Sequence, residues 1–267
     1  MVDFYKPRCT VIDDNTYKQF VDDLPPRFRR GYTGRPFDKV PYGGASYAKP
    51  RARRIYDRSE WAERAKDKKK YGSSLREVWR RGGLNVLNQQ QTNYCWCNGV
   101  VGAYQAKRAF QGLPYIKFSA ASVAARLKRY QNVGGWGGEA IEGINQGLLC
   151  NLDLWPANEI DDRFDTPEAR AYGKTHSVLE WDDLKPGSFE EMASALLDDD
   201  PVPAGHMWWG HLVCHLDLVQ LGRDDWATIF ANSWGSDWED EGFGVMHENK
   251  ARPDEANALR SVAAVLV

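Results

Sequence analysis

Cys95 stands six residues after Gln89 and begins a stretch, residues 94–110, in which Val100, Val101, Tyr104 and Phe110 recur at helical spacing before Gly112-Leu113-Pro114. A thiol in the first turn of a helix feels the positive end of the helix dipole and free backbone N–H groups, which favour the thiolate. The position therefore suits a nucleophile, although a lone cysteine ahead of an apolar helix is more often simple packing. Its partners decide the matter. Far downstream, Trp209-Gly210-His211-Leu212-Val213 opens a strand-like run, and Asn232-Ser233-Trp234-Gly235 follows 21 residues after His211. A histidine alone on a strand is commonly a hydrogen-bonded core residue. In company with a thiol it can act as general base and acid, a carboxamide can hold it in one tautomer, and a glutamine amide can donate to a developing oxyanion.

Taken in chain order, Gln89 before Cys95-Trp96, then Gly210-His211-x-Val213, then Asn232-Ser233-Trp234-Gly235 followed by Trp238 and Gly242-Phe243, the pattern resembles the papain-like cysteine peptidases. The resemblance extends from Val78 to the C-terminus, about 190 of the 267 residues, and includes Val78-Trp79-Arg80-Arg81-Gly82, Phe118-Ser119 and the segment Gly134-Gly135-Trp136-Gly137-Gly138-Glu139-Ala140. It implies an α+β, bilobal fold with a helical lobe facing an antiparallel β-barrel lobe across a groove. It further implies Cys95 as nucleophile, His211 as base and acid, Asn232 as the group that orients the imidazole, and Gln89 as oxyanion donor. Gly134, Gly135 and Trp136 would line the substrate groove, where glycines let an extended peptide pair with backbone. Trp234 would shield the Asn232–His211 bond from water.

Two assignments have competitors. His215 also precedes Asn232 and shares a strand face with His211, but Gly210 and Val213 favour His211, and Asp217 stands where a buried aliphatic residue is expected after His215. Gln90 and Gln91 compete with Gln89, which alone follows Asn88 and has the six-residue spacing. Cys97 falls on another side of the helix and reads as packing. The chain also departs from the family. Thr92 and Val133 stand near the places where secreted members carry a disulfide pair, and Asn93-Tyr94 replaces the usual Gly-Ser before the nucleophile, a change that can narrow or block the first substrate pocket and leaves activity open.

The elements that must hold these groups are partly legible. A helix from Ser119 to Tyr130, another over residues 139–146 ended by Gly147, an N-cap at Thr166 ahead of Pro167, and a capping box at Ser188-Phe189-Glu190-Glu191 give the helical pattern. Strands are expected over residues 203–207, 211–221, 226–231, 242–247 and 260–267. Residues 75–267 form the expected peptidase domain, with a helical lobe at about 75–155 and a mainly β lobe at about 180–267. Residues 1–74 form an arm. Residues 21–54 are crowded with Pro, Gly, Arg and Tyr and lack period, and a charged helix over residues 60–70, capped at Ser59 with Glu63, is polar nearly all round and so covers something.

Charge separates the two parts. Residues 1–70 hold 18 Lys+Arg against 10 Asp+Glu, a balance of +8, and the remainder holds 17 against 27, a balance of −10. The arm does not resemble the family's long helical propeptide; it can fill the groove in cis, anchor the chain to a neighbouring subunit through residues 1–55, or meet an acidic partner. The Arg and Tyr interleaving at Arg29-Arg30-Gly31-Tyr32 and over residues 51–56 admits nucleic-acid contact, with a solvated or subunit-spanning extension as the commoner meaning. Five scattered cysteines, an odd number, argue against a disulfide framework and for a reducing, cytoplasmic setting. No apolar run of about 18 residues exists, so no membrane span is expected. His206, His211, His215 and Cys214 lack metal-ligand spacing, and neither metal nor cofactor is expected. The leading expectation is thiol-dependent hydrolysis of a peptide or protein substrate. Its rival is a structural or assembly component, for example of a phage particle, that uses the same fold as a docking module. A transglutaminase-type acyl transferase shares the Cys-Trp pair but orients its histidine with Asp, against Asn232.

Overall fold

The computed structural model describes residues 4–25, 27–42 and 53–263. In chain order its elements are strand β1 (Val11–Ile12), helices α1 (Arg58–Tyr71), α2 (Leu75–Arg81) and α3 (Cys95–Phe110), strand β2 (Phe118–Ser119), helices α4 (Ala120–Leu127) and α5 (Gly137–Asn145), and strand β3 (Cys150–Asn151). There follow α6 (Pro167–Gly173), β4 (Val178–Leu184), α7 (Phe189–Leu197), β5 (Val202–His206), β6 (His211–Gly222), β7 (Asp225–Ala231), β8 (Phe243–His247), α8 (Glu248–Ala251) and β9 (Glu255–Val262).

α3 is the centre of the helical lobe. It is buried on nearly every face, with Cys95, Trp96, Val100, Val101 and Tyr104 fully enclosed, and it packs beside α2, α4 and α5. It also lies directly on β6. A side chain at Gly99 would run into Leu212, so this glycine sets the close approach of helix to strand and hence of the two lobes. The β lobe carries a seven-stranded sheet in the order β1-β8-β7-β6-β5-β9-β4, antiparallel except for the β1–β8 pair. A second core, built on Phe189, Leu196, Val213, Phe230, Trp234 and Trp238, fills this lobe.

Several elements differ from their expected bounds. The arm helix starts at Arg58 with Asp57 as N-cap and Glu60 completing the box, two residues earlier than Ser59 and Glu63 would set it, because the Asp57 carboxylate accepts from the Ser59 N–H and Glu60 returns to the Asp57 N–H. At Ser188 the hydroxyl accepts from Glu191 N–H, but the Glu191 carboxylate accepts from Lys185 N–H instead of closing a box. α4 ends at Leu127, and Arg129 and Tyr130 take positive φ. The last strand begins at Glu255, five residues earlier than expected, and ends at Val262; residues 264–267 lie outside the described residues. β4 has no sequence counterpart: irregular pairing between Val178, Glu180 and Trp181 breaks its alternation.

The arm belongs to the β lobe. β1 pairs with β8, Ile12 and Phe20 are buried in the second core, and α1 inserts Trp61 between Phe189 and Trp226. Residues 1–3, 26 and 43–52 are outside the description, so part of the Arg/Tyr interleaving at residues 51–56 falls there.

Candidate active site

Cys95 is the first residue of α3, after Tyr94, which supplies no side-chain cap. The Cys97 and Asn98 N–H groups donate to the Tyr94 carbonyl (3.1 and 2.9 Å). The side-chain hydroxyl of Tyr94 reaches across to the Gln131 carbonyl (2.7 Å), and Asn93 clasps Asn132 by its N–H (2.6 Å) and its amide (3.1 Å), so the Asn93-Tyr94 pair ties the entry of α3 to the loop before Gly134.

His211 is the first residue of β6, after a tight connection from β5 that ends at Gly210 with φ +61°. Its Nε2 lies 2.8 Å from Asn232 Oδ1, at the end of β7. Its Nδ1 is buried and has no hydrogen-bond partner among the described residues. The next residue, Leu212, packs its side chain against Gly99, so the start of β6 lies on the first turns of α3. Trp234 stacks on the imidazole at 4.6 Å and 30°, while Trp209 meets it edge-on at 4.8 Å. The His211–Asn232 bond is therefore walled by two indoles.

His215 sits elsewhere. Its Nε2 lies 3.1 Å from His206 Nε2 and its Nδ1 2.8 Å from Thr228 Oγ1, so both of its nitrogens are occupied inside the sheet. Cys97 is equally removed, its sulfur bonded to the Ala120 carbonyl.

Gln89 is fully buried beside the same centre. Its Oε1 accepts from Ser233 Oγ (2.5 Å), its backbone N–H donates to the Ser233 carbonyl (2.8 Å), and its Nε2 donates one hydrogen to the Thr92 carbonyl (2.8 Å). Ser233 was not singled out by sequence reasoning. Its position between Asn232 and Trp234 was the available signal, since it links the glutamine to the asparagine that holds the imidazole.

The groove is occupied by the chain's own arm. Gly31 and Tyr32 donate their N–H groups to the Gly210 carbonyl (3.2 and 3.1 Å), Gly135 N–H donates to the Gly31 carbonyl (2.9 Å), and Thr33 N–H donates to the Gly135 carbonyl (3.1 Å). Tyr32 and Gly135 thus form a parallel bridge. Gly134 backs the segment at Gly31 and Thr33, and Trp136 faces the Arg35 guanidinium at 5.7 Å. Trp234 donates its indole N–H to the Arg29 carbonyl (2.9 Å), and Phe28 stacks on it at 4.9 Å. None of these arm residues was picked out as a site residue, because a glycine-rich arm has no period to reveal what it lies on.

This cover fixes the electrostatics. Cys95 and His211 have no exposed surface. Loss of solvent pushes the Cys95 thiol up to about 12, outweighing the N–H groups of Leu212, Gly31, Trp96 and Tyr32 that lower it. Burial likewise lowers the His211 imidazole to about 3, against the opposing pull of Asn232. The thiolate expected at the helix start is therefore absent from the covered state: desolvation beats the helix dipole, and thiol and imidazole are both neutral. An open cleft of about 450 Å³ lies at the far end of α3, between Tyr71, Arg81, Arg108 and Leu113, well away from Cys95.

Neither a family model nor a curated protein matches the sequence. Solved structures do. Procathepsin L 3 from the larval midgut of Tenebrio molitor aligns with a TM-score of 0.55 at 20% identity over 67% of each chain. A structure from the mite allergens Blo t 1 and Der p 1 aligns with a TM-score of 0.59 at 16% identity, over 89% of this chain and 83% of that one. This chain has the papain-like fold. The ragweed pollen cysteine protease Amb a 11, in its proform, aligns at 0.54 and 14% identity over 68% of this papain-like chain and 65% of its own. No helix among the described residues is long and apolar enough to cross a membrane.

Proposed function

We propose that the chain is a thiol-dependent peptidase of the papain-like kind, acting on a peptide or protein through Cys95, His211, Asn232 and Gln89. The observation that carries this reading is the 2.8 Å bond from His211 Nε2 to Asn232 Oδ1 under Trp234, which leaves the opposite ring nitrogen unpartnered, on a strand, β6, that packs against the helix opened by Cys95. With the groove open to water, the Cys95 proton passes to His211 Nδ1 and the thiolate attacks the substrate carbonyl carbon. The oxyanion is held by the Cys95 N–H and the remaining amide hydrogen of Gln89, each such donor being worth roughly 10²–10³ in rate. Collapse breaks the C–N bond as His211 protonates the leaving amine. Water, deprotonated by His211, then releases the acyl group and restores the thiol. Gly134, Gly135 and Trp136 would line the substrate path and Trp234 would keep water from the His211–Asn232 bond. All five cysteines are free thiols, which suits a reducing, cytoplasmic setting.

Hydrolysis of a casein-derived peptide pool and covalent labelling by an epoxide-type thiol reagent test the reading in protein whose arm has been loosened. Both should vanish in Cys95→Ala, and unlabelled Cys95 throughout pH 5–8 would exclude it. A second reading, an assembly component such as a particle protein, draws support from one observation: the groove is filled and Cys95 fully enclosed. It expects assembly to survive Cys95→Ala. Deleting residues 1–55 cannot serve as its test, because that deletion removes β1 and the core residue Phe20.

A further inference from the structure

Helices α1, α2 and α3 finish close together, at Tyr71, Arg81 and Phe110, and the open cleft of about 450 Å³ lies between their ends. Its walls are apolar and partly aromatic, with Tyr71, Leu84, Phe110 and Tyr115 among them. The charged side chains that line it are Arg81 and Arg108, and no carboxylate lines it. Two further lining positions, Gln105 and Arg108, are three apart on α3 and so share a face of the helix. They lie about 15–20 Å along that helix from Cys95, which separates this place from the groove.

Helix C-termini favour cations, and this accounts for Arg81, whose guanidinium donates to the Gly72 carbonyl at the end of α1. It does not account for Arg108. That side chain is buried, 2% exposed, and forms no ion pair among the described residues. Its guanidinium reaches only two carbonyls, those of Pro114 (3.3 Å) and Ala263 (3.5 Å), and sits 5.6 Å over the Phe118 ring, while its Nε is buried without a hydrogen bond. Gln105 is equally buried; its amide donates to the Ile116 carbonyl (3.1 Å), but its Oε1 has no partner. A buried cation with no anion beside it opposes folding, as does a buried acceptor with no donor. Both stand in the lining of one cleft. An anionic group would answer the first and an N–H or O–H the second, on a body that suits aromatic walls.

We propose that this cleft is a binding site for a small aromatic acid. The ring lies between Tyr71, Phe110 and Tyr115, the carboxylate pairs with Arg108 with the exposed Arg81 at the mouth, and a donor on the ring meets Gln105 Oε1. The proposal stands independently of the peptidase reading, since none of these residues takes part in the chemistry at Cys95.

Isothermal titration calorimetry on the full chain tests it with three probes of one shape: indole-3-acetate, the uncharged indole-3-acetamide, and benzofuran-3-acetate, which lacks the N–H. Indole-3-acetate should bind saturably, one to one, with Kd below about 1 mM. The acetamide should bind at least tenfold more weakly and the benzofuran at least threefold more weakly. Arg108→Met should weaken indole-3-acetate at least tenfold and leave the acetamide within twofold. Gln105→Leu should abolish the preference for indole over benzofuran, and Ala109→Trp, which fills the cleft, should abolish binding. Near-UV circular dichroism checks each variant, and one that has lost its tertiary signal is replaced by Arg108→Lys or Gln105→Met, for which the same loss of preference for charge or for the N–H is required. Absence of saturable binding, equal affinity for the acid and its amide or for indole and benzofuran, or binding that survives Ala109→Trp would overturn the proposal. Binding that appears only once residues 264–267 are removed would give the cleft to the chain's own end and overturn it as well.

Discussion

At the scale of single residues, the site turns on which of two imidazoles has a free nitrogen. His215 has both nitrogens engaged, with His206 and Thr228, whereas His211 has one bonded to Asn232 and one without a partner. Thr228→Val strips His215 of its Nδ1 partner and should cost about 1–3 kcal/mol of stability, read by urea denaturation, as expected for a buried polar group left unsatisfied. In the Gly31→Val background, where a side chain meeting the Asn93 carbonyl lifts the arm, it should leave the Cys95 labelling rate within twofold; a larger drop would mean that His215 takes part in the chemistry. The residues of the proposed site are those the sequence pattern names, because the proposed chemistry needs particular types at particular distances: Gln89 before Cys95, His211 before Asn232. The neutral state of the pair was not legible. It depends on desolvation by arm residues some sixty positions upstream, and no local pattern encodes that.

At the scale of elements, the arm is held by charge on either side of the groove contact. The Arg35 guanidinium forms a two-pronged pair with Asp183 (2.6 and 2.9 Å), with the two side chains only 1% and 3% exposed, and also bonds the Val40 and Pro41 carbonyls. Arg53 meets Asp182, Asp198 and Asp200, and Tyr56 adds a bond to Asp198. Removing one partner of a buried pair typically costs about 3–5 kcal/mol, mostly from the charge left behind. Arg35→Met should therefore destabilise the chain by an amount of that order and quicken Cys95 labelling, and adding Asp183→Leu should recover stability while labelling stays fast. If Arg35→Met leaves labelling at the parent rate, the ion pair does not hold the arm over Cys95. Helices with strong caps, at Thr166 and Ser188, and the long apolar α3 could be read from sequence. β4, with its irregular pairing, and β1, two residues borrowed from the arm, could not, because their pairing is settled by distant strands.

At the scale of the whole molecule, part of the +8 balance of residues 1–70 is met by carboxylates of the −10 remainder. Arg35, Arg53 and Lys68 from the basic quarter face Asp182, Asp183, Asp198, Asp199, Asp200 and Asp217 of the β lobe and its flanks. These cations are engaged within the chain, which weighs against the arm as a nucleic-acid-binding element. The same lobe buries three histidines, His206, His211 and His215, and burial lowers all three, the first to about 4 and the second to about 3. A group neutral in the folded state and protonated in the unfolded chain below about pH 6.5 opposes folding as pH falls, by up to about 1.4 kcal/mol per pH unit for each histidine. Glu255 and Asp199, whose carboxyls burial pushes up, act in the opposite sense. With these three and His176 of the helical lobe, which burial also lowers, against two carboxyls, urea midpoints should decline between pH 7 and pH 5, and replacing the bonded pair by His206→Leu, His215→Leu should lessen the decline; a midpoint that is level or rises on acidification would contradict this. The central claim, that Cys95 and His211 become a reactive ion pair once the arm is lifted, is tested most directly by the pH dependence of Cys95 alkylation in full-length Gly31→Val. The account predicts reactivity sustained down to about pH 5 and lost on adding His211→Ala, as for a thiolate held by an imidazolium. A rate that rises only near the ordinary thiol range, about pH 8.5, and ignores His211→Ala would contradict it.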